Sequence, residues 1–223
     1  MTAITTPSSS HSHQGTTEAE SFQRLLADAR GGNTAALGEL LQWYLNYLTI
    51  LASSQLDRRI QQRVSPSDVV QEAMLAAHRD FGGFRGVSQG ELLCWLRQIL
   101  INTLHRTFAR HVKAGKRDVR REVSIHQISR QLEESVASLS ALLPAKGDSP
   151  SAAMQSREDA VELANQLSSL RPQYRDVILY RVLQGLSFEE VAVRMGRSPG
   201  AVRMLWLRAL EAFKIHGDWP HGD

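Results

Sequence analysis

Apolar positions along this chain recur three and four residues apart, the spacing of a helix that buries one face. Phe22, Leu25 and Leu26, then Ala36, Leu37, Leu40, Leu41 and Tyr44, predict two helices. Gly31 and Gly32 break the chain between them, and Asn33 can cap the second. Ser65-Pro66 opens a third helix, because serine supplies a cap acceptor and a first-turn proline has no needed N–H to lose. That helix runs through Asp68, Gln71 and Glu72 to about His78, and Phe81 to Gly86 reads as a loop. Ser88 with Glu91 has the spacing of a capping box and starts a fourth helix, which continues through Trp95 to about His111. Periodicity returns at Arg157, with Val161, Leu163, Leu167 and Leu170 in one element and Tyr174, Val177, Ile178 and Val182 in the next. Ser187 with Glu190 forms a second capping box, opening a short helix to Met195. After the turn at Gly196-Arg197-Ser198, Pro199 begins a final helix to about His216. Neither strand alternation nor an internal repeat occurs, so the expected fold class is all-α.

Two stretches interrupt this pattern. Residues 1–17 are rich in Ser and Thr without apolar periodicity, which predicts a disordered tail. His11 and His13 in it have no further ligand nearby. Residues 123–156 are rich in Ser and Ala and hold Pro144, Gly147 and Pro150, which predicts a flexible linker with a transient helix near Gln131 to Leu142. The chain therefore divides into two small helical domains, 18–122 and 157–216.

Composition narrows the classes. Across 223 residues the net charge is only +3, so charge placement matters more than its total. Lys113, Lys116, Arg117, Arg120 and Arg121 form a basic run opposed only by Asp118. The single cysteine, Cys94, excludes an internal disulfide and any CxxC metal site, and its neighbours Leu92, Leu93, Trp95 and Leu96 predict a packing role. The most apolar segment, Tyr44 to Ser53, is short and interrupted by Asn46, and no basic-then-apolar signal opens the chain, which together predict a cytoplasmic protein. A Gly-rich phosphate loop, paired catalytic carboxylates and a metal-ligand cluster are all missing, so neither enzymatic chemistry nor a metal or cofactor is expected.

Three surfaces carry candidate functions. On the third helix Asp68, Gln71, Glu72, Leu75 and Arg79 share one side, opposite Val69, Val70, Ala73, Met74 and Ala77. Asp68 and Glu72, four apart, mildly oppose an isolated helix. From periodicity alone this is a solvated acidic face; a basic partner would reverse its cost. On the fourth helix Leu92, Leu96, Ile99 and Thr103 point inward, with Leu93, Leu100 and Leu104 beside them. Gln98, Asn102, His105 and Arg106 form a polar stripe followed by Arg110, suited to exposed base edges and backbone. Phe84 is a candidate for stacking on an unpaired base, whereas Phe81 and Trp95 are expected in the core. Ser187 to Phe213 fits a helix-turn-helix, with Val202, Trp206, Ala209, Leu210 and Phe213 as the inner face of its second helix. Gly200, Arg203, Met204 and Leu207 then lie outward. Arg203 is the best candidate for a base contact, while Arg197 and Arg208 suit phosphates. A helical hairpin that binds no DNA has the same local features.

Two sets of residues resemble a known family. Asp68-Val-Val-Gln-Glu72, Phe81, Phe84-Arg-Gly86, Trp95-Leu-Arg-Gln-Ile99 and Asn102 are similar to region two of bacterial sigma factors. Leu170-Arg-Pro, Gly185-Leu-Ser187, Glu190-Val-Ala192, Met195-Gly196, Ser198, Gly200, Val202 and Arg208-Ala-Leu210 resemble region four. The two-region form, spanning roughly Glu18 to Lys214, resembles the extracytoplasmic-function class, and His78-Arg-Asp to Arg121 resembles a planctomycete-type subgroup of it.

The resemblance implies a subunit that binds core RNA polymerase and directs promoter recognition and opening. Asp68, Gln71, Glu72 and Leu75 would dock the polymerase clamp helices. The loop from Phe84 to Gly90, with Phe84, Arg85 and Ser88, would capture a flipped base of the minus-ten element, and Gln98, Asn102, His105, Arg106 and Arg110 would contact that strand. Arg197, Ser198, Gly200, Arg203, Met204, Leu207 and Arg208 would meet the minus-thirty-five element, and region four the polymerase flap. An anti-sigma factor is a further partner the class allows. Leu205 and Met204 depart from the basic and small polar residues common there. Two rivals are a stand-alone helix-turn-helix regulator, which needs no acidic docking face, and a protein-binding helical adaptor, which needs neither the basic run nor Arg203.

Overall fold

The computed structural model describes residues 10–56, 64–114, 124–141 and 150–216 of the chain. Ten α-helices lie among the described residues, and no strand does. The first, α1 (Ser10–Arg30), begins within the segment expected to be a tail and buries Phe22, Leu25, Leu26 and Ala29. The turn after it contains Gly32, whose φ of 92° is open to glycine and strained for other residues. Asn33 then caps α2 (Thr34–Gln42), its Oδ1 accepting from the N–H groups of Ala35 and Ala36 at 3.1 Å each. After α3 (Leu45–Gln55), which buries Tyr47, Leu48 and Leu51, comes α4 (Pro66–Asp80). Ser65 and Asp68 close a reciprocal capping box at its start, the kind of end that stabilises a helix by about 1 kcal/mol. Serine alone was legible as the cap; the Asp68 half of the box was not expected.

A single 3-10 turn, Phe81–Gly83, leads into the loop before α5 (Gln89–Ala114). The box at Ser88 forms as its spacing predicts: Glu91 N–H donates to Ser88 Oγ, and Glu91 Oε2 accepts from Ser88 N–H at 3.0 Å. The buried side of α5 is Leu92, Leu93, Leu96, Leu100, Thr103 and Leu104, with Ile101, Thr107 and Phe108 continuing it. Ile99 is half-buried. Cys94 corrects an expectation. It is exposed, because residues 92, 93 and 96 turn one side inward and position 94 falls on the other.

The serine- and alanine-rich stretch holds a well-packed helix, α6 (Ile125–Ser140), capped by Ser124. Ile128, Leu132, Ser135 and Leu139 form its buried stripe at helical spacing. It packs on α3, α5, α7 (Pro150–Ser169) and the turn that follows α8 (Pro172–Ile178). That turn is a π-helical segment, Leu179–Leu183. Polar contacts join the same elements. Ser54 donates to Ser135 Oγ at 3.0 Å, Asn46 to Asn165 Oδ1 at 2.9 Å, and Gln184 to the Ser53 carbonyl at 2.8 Å. The buried residues of both halves form one continuous cluster, so the arrangement is closed, with α3 facing α6 and α7.

The chain ends in α9 (Phe188–Met195) and α10 (Pro199–His216). Gly196 stops α9 in the left-handed region at φ 64°. α10 packs on α8 and α9, with Val191 and Ala192 of α9 buried and Val202, Leu205, Ala209 and Phe213 as its own buried side. Trp206 and Leu210, expected on that inner face, are only half-buried, and Leu205 takes their place.

Candidate nucleic-acid interface

The outer face of α4 is laid out as its periodicity predicts. Asp68, Gln71 and Leu75 are exposed, Leu75 to 72%, and Glu72 is half-buried. Asp68 is partly engaged, its Oδ2 accepting from Ser65 N–H at 3.2 Å. Glu72 Oε2 meets Arg110 Nη2 of α5 at 2.6 Å. This pair spans two surfaces that the sequence treats separately, and nothing local in either segment signals it.

The loop between α4 and α5 is held from three sides. Phe84 is 6% exposed, its ring centroid 6.0 Å from Phe81 and 5.2 Å from Trp95. Its ring therefore faces inward in this closed form and offers no surface for stacking, unlike the expected base contact. Arg30 of α1 lies 6.0 Å over that ring and donates to the Gly86 carbonyl, while Gln23 donates to the Val87 carbonyl at 2.9 Å. Glu91 accepts from Val87 N–H, Ser88 N–H and the Ser88 hydroxyl, which together hold its carboxyl below the usual glutamate range. Gly86 is required by space: a Cβ there would stand 2.6 Å from Phe84 Cζ and 2.7 Å from Glu91 Cβ. Arg85 is exposed and donates to the Gly82 carbonyl at 2.8 Å. Ser88 is half-buried and spends its hydroxyl on the cap.

On α5 the polar stripe emerges on one face. Gln98, Asn102, Arg106 and Arg110 are exposed and His105 is half-buried. Gln98 donates to Asn102 Oδ1 at 3.2 Å, and Arg106 to Thr103 Oγ1 at 3.2 Å. Thr103 and Thr107 are buried polar residues whose hydroxyls receive these guanidinium groups, Arg110 Nη2 reaching Thr107 Oγ1 at 3.2 Å. The stripe is thereby partly ordered before any ligand arrives, which lowers the entropy lost on binding. The side chains of Lys113, Lys116, Arg117, Arg120 and Arg121 lie outside the described residues. Arg79 and Asp80, not expected at this surface, stand beside the stripe at the end of α4, joined Nε to Oδ1 at 2.8 Å.

In the helix-turn-helix, Ser187 and Glu190 close their predicted box, and Ser187 N–H donating to Glu190 Oε2 at 2.7 Å lowers that carboxyl's pKa. Ser198 caps α10, its Oγ accepting from Ala201 N–H at 3.2 Å. Gly200, Arg203, Met204, Leu207 and Arg208 are exposed along the outer face, with Met204 at 52% and Leu207 at 58%. Arg203 is oriented rather than free. Its Nη2 pairs with Glu189 Oε1 at 2.8 Å, and its guanidinium lies 5.4 Å over the Phe188 ring. Arg197 in the turn donates to Gln173 Oε1 at 3.0 Å. Leu205 is buried, so its departure from a basic residue concerns packing rather than the outward face. Glu189, Phe188 and Gln173 escaped the sequence reading because their partners are distant in the chain.

Among the described residues no group of His, Cys, Asp and Glu gathers as a metal site would require, and no helix is long and apolar enough to cross a membrane. Residues 160–213, which hold α8, α9 and most of α10, match the family model described as Sigma-70, region 4. The chain is similar to the ECF RNA polymerase sigma-E factor of Escherichia coli strain K12, at 34% identity over 145 residues, covering 65% of this chain and 70% of that protein. It is 28% identical over 193 residues to the RNA polymerase sigma-H factor of Pseudomonas aeruginosa, covering 86% of this chain and 92% of the relative. A solved structure of CnrH in complex with the cytosolic domain of CnrY aligns at 20% identity over 89% of this chain and 97% of that one, with a TM-score of 0.32, too loose a superposition to carry an argument. Helical architecture, the region-four match and the extended likeness to sigma-E agree: the chain belongs to the extracytoplasmic-function class of RNA polymerase sigma factors, subunits of transcription initiation.

Proposed function

We propose that this sigma factor docks core RNA polymerase through the α4 face, holds the minus-ten strand on α5 and the preceding loop, and reads the minus-thirty-five element with α10. The observation that carries the reading is the α4 face. Asp68 and Glu72 share their side of the helix with Leu75, an apolar side chain largely in solvent, and the opposite side is core. A stand-alone DNA binder has no use for an acidic and apolar helix face beside its DNA surface. A helical adaptor has no use for a neighbouring stripe of amide, imidazole and guanidinium groups.

The α5 stripe of Gln98, Asn102, His105, Arg106 and Arg110 suits an unpaired strand, with Arg85 and Ser88 of the loop before α5 as further contacts. Arg203 reads base edges on α10, with Met204 and Leu207 beside it and Arg197, Ser198, Gly200 and Arg208 along the backbone. The flap contact belongs to the 157–216 domain, and the clamp and minus-ten contacts to 18–122. Binding at two sites pools energy by raising the effective concentration at the second. The protein acts stoichiometrically in the cytoplasm, melting DNA by holding unpaired bases rather than by chemistry. The resemblance of His78-Arg-Asp to Arg121 supports a place in the planctomycete-type subgroup, and an anti-sigma factor that covers the α4 face or the exposed DNA surfaces is a further partner of this reading.

The test is the charge reversal Asp68→Lys with Glu72→Lys, read as affinity for purified core polymerase and as promoter-dependent transcripts. A loss of core affinity of about tenfold or more, with helix content unchanged, is the expected outcome: tenfold is about 1.4 kcal/mol, and losing one partner of a buried charge pair costs on the order of 2–5 kcal/mol. Undiminished core binding would show that the α4 face is not the docking surface.

A further inference from the structure

Between the end of α4 and the polar stripe of α5 lies an open groove of about 270 Å³. One water occupies about 30 Å³ of liquid, so the groove leaves room for a planar ring. Ala76 and Ile99 give it an apolar wall, a surface on which a ring can lie. Its polar lining comes from two helices: Arg79 and Asp80 from α4, and Asn102, His105 and Arg106 from α5. Cations outnumber the single carboxylate, so the groove as a whole favours a polyanion.

Asp80 is the odd member. A groove that only gripped phosphate would gain nothing from a carboxylate in its wall. Arg79 holds it with two hydrogen bonds, Nε to Oδ1 at 2.8 Å and Nη2 to Oδ2 at 3.0 Å. These bonds, with the nearby Arg106 charge, keep Asp80 ionised well below neutral pH. Each carboxylate oxygen still has a second lone pair, so Asp80 fixed in this way remains an acceptor. Beside it, Asn102 accepts from Gln98 at its carbonyl, and its amide N–H groups add donors to the groove wall.

We propose that this groove receives one unstacked base of the promoter strand that carries an amino group, with Asp80 accepting from that amine and Arg79 and Arg106 holding the flanking phosphates. The inference rests on assigning the α5 stripe to the minus-ten strand. Adenine, cytosine and guanine all present an exocyclic amine at an edge freed from pairing. Thymine presents carbonyl oxygens on both sides of its ring N–H, and an oxygen placed against the Asp80 carboxylate is repelled. The groove therefore discriminates against thymine at one position.

The experiment uses the full chain with core polymerase and a promoter library randomised across the non-template minus-ten strand, sequenced before and after capture of open complexes. The wild-type protein is expected to deplete thymine about tenfold at one position, the factor a single hydrogen bond to a charged group supplies. Asp80→Ala is expected to reduce that depletion to within about twofold and leave the other positions unchanged. Asp80→Asn, which keeps the shape and one acceptor, is expected to fall between. Arg106→Ala, which leaves the Arg79–Asp80 hydrogen bonds in place, is expected to lower recovery of all sequences alike, as loss of a phosphate contact does. Selective recovery by the wild-type protein that is indifferent to Asp80 overturns the groove assignment while leaving the strand assignment standing. If the wild-type protein recovers sequences without selectivity anywhere in the minus-ten strand, the strand assignment fails and the groove with it.

Discussion

Leu132→Ala tests whether the helix inside the serine-rich stretch belongs to the folded unit. Leu132 lies on α6 with no solvent exposure, between Ile128 and Leu139, which are equally buried. Truncating a leucine in such a setting removes transfer energy and leaves a cavity, together about 2–5 kcal/mol. In a chain of 150–250 residues each kcal/mol lowers the melting temperature by about 2–4 °C, so a drop on the order of 10 °C is expected. Thermal melts followed by circular dichroism and calorimetry give the value, with Gln131→Ala as the control. Gln131 is the exposed neighbour on the same helix, and surface substitutions of that kind stay within about 0.5 kcal/mol. If Leu132→Ala melts within about 1 °C of the parent, α6 contributes nothing to the core, and the closed arrangement of α3, α6 and α7 does not describe the free protein.

Gly86→Ala should cost about 1–3 kcal/mol, because the added methyl meets Phe84 and Glu91 well inside contact distance, and chemical denaturation would reveal it. At Gly196 space is open but φ is 64°, so Gly196→Ala should cost about 1–2 kcal/mol and Gly196→Asn distinctly less, by the same measurement. Glu190 has a lowered pKa in the folded chain, so its contribution is present above the ordinary glutamate value of about 4.3 and is lost as pH falls through the folded value. Melting temperature against pH should accordingly show a shallower acid limb in Glu190→Gln; an unchanged limb would remove the box carboxylate from the acid response.

What was legible in the sequence was local. The boxes at Ser88–Glu91 and Ser187–Glu190 bind groups three residues apart, so spacing alone reveals them. The α4 face was readable for the same reason, since helical periodicity sorts Leu75 from Ala73 and Ala77 without any partner. Composition misled where it was allowed to outweigh spacing. Serine and alanine suggested a linker, yet Ile128, Leu132, Ser135 and Leu139 carried the stripe of a buried helix throughout. Cys94 was judged by neighbours in sequence when neighbours on the helix face decide. Phe84 was judged by its aromatic character, and its burial depends on Arg30, Phe81 and Trp95 meeting from three elements. The partners of Arg203 and Arg110 lie 14 and 38 positions away, and only the fold brings them close.

The Glu72–Arg110 pair makes two surfaces answer to each other. A ligand that draws Glu72 outward leaves Arg110 without its counter-charge, and an anion that claims Arg110 leaves Glu72 more negative for a basic partner. Each event lowers the cost of the other, and thermodynamic reciprocity requires the two effects to be equal. An exposed pair contributes less than about 1 kcal/mol, so the coupling is gentle: a bias in the order of assembly rather than a lock.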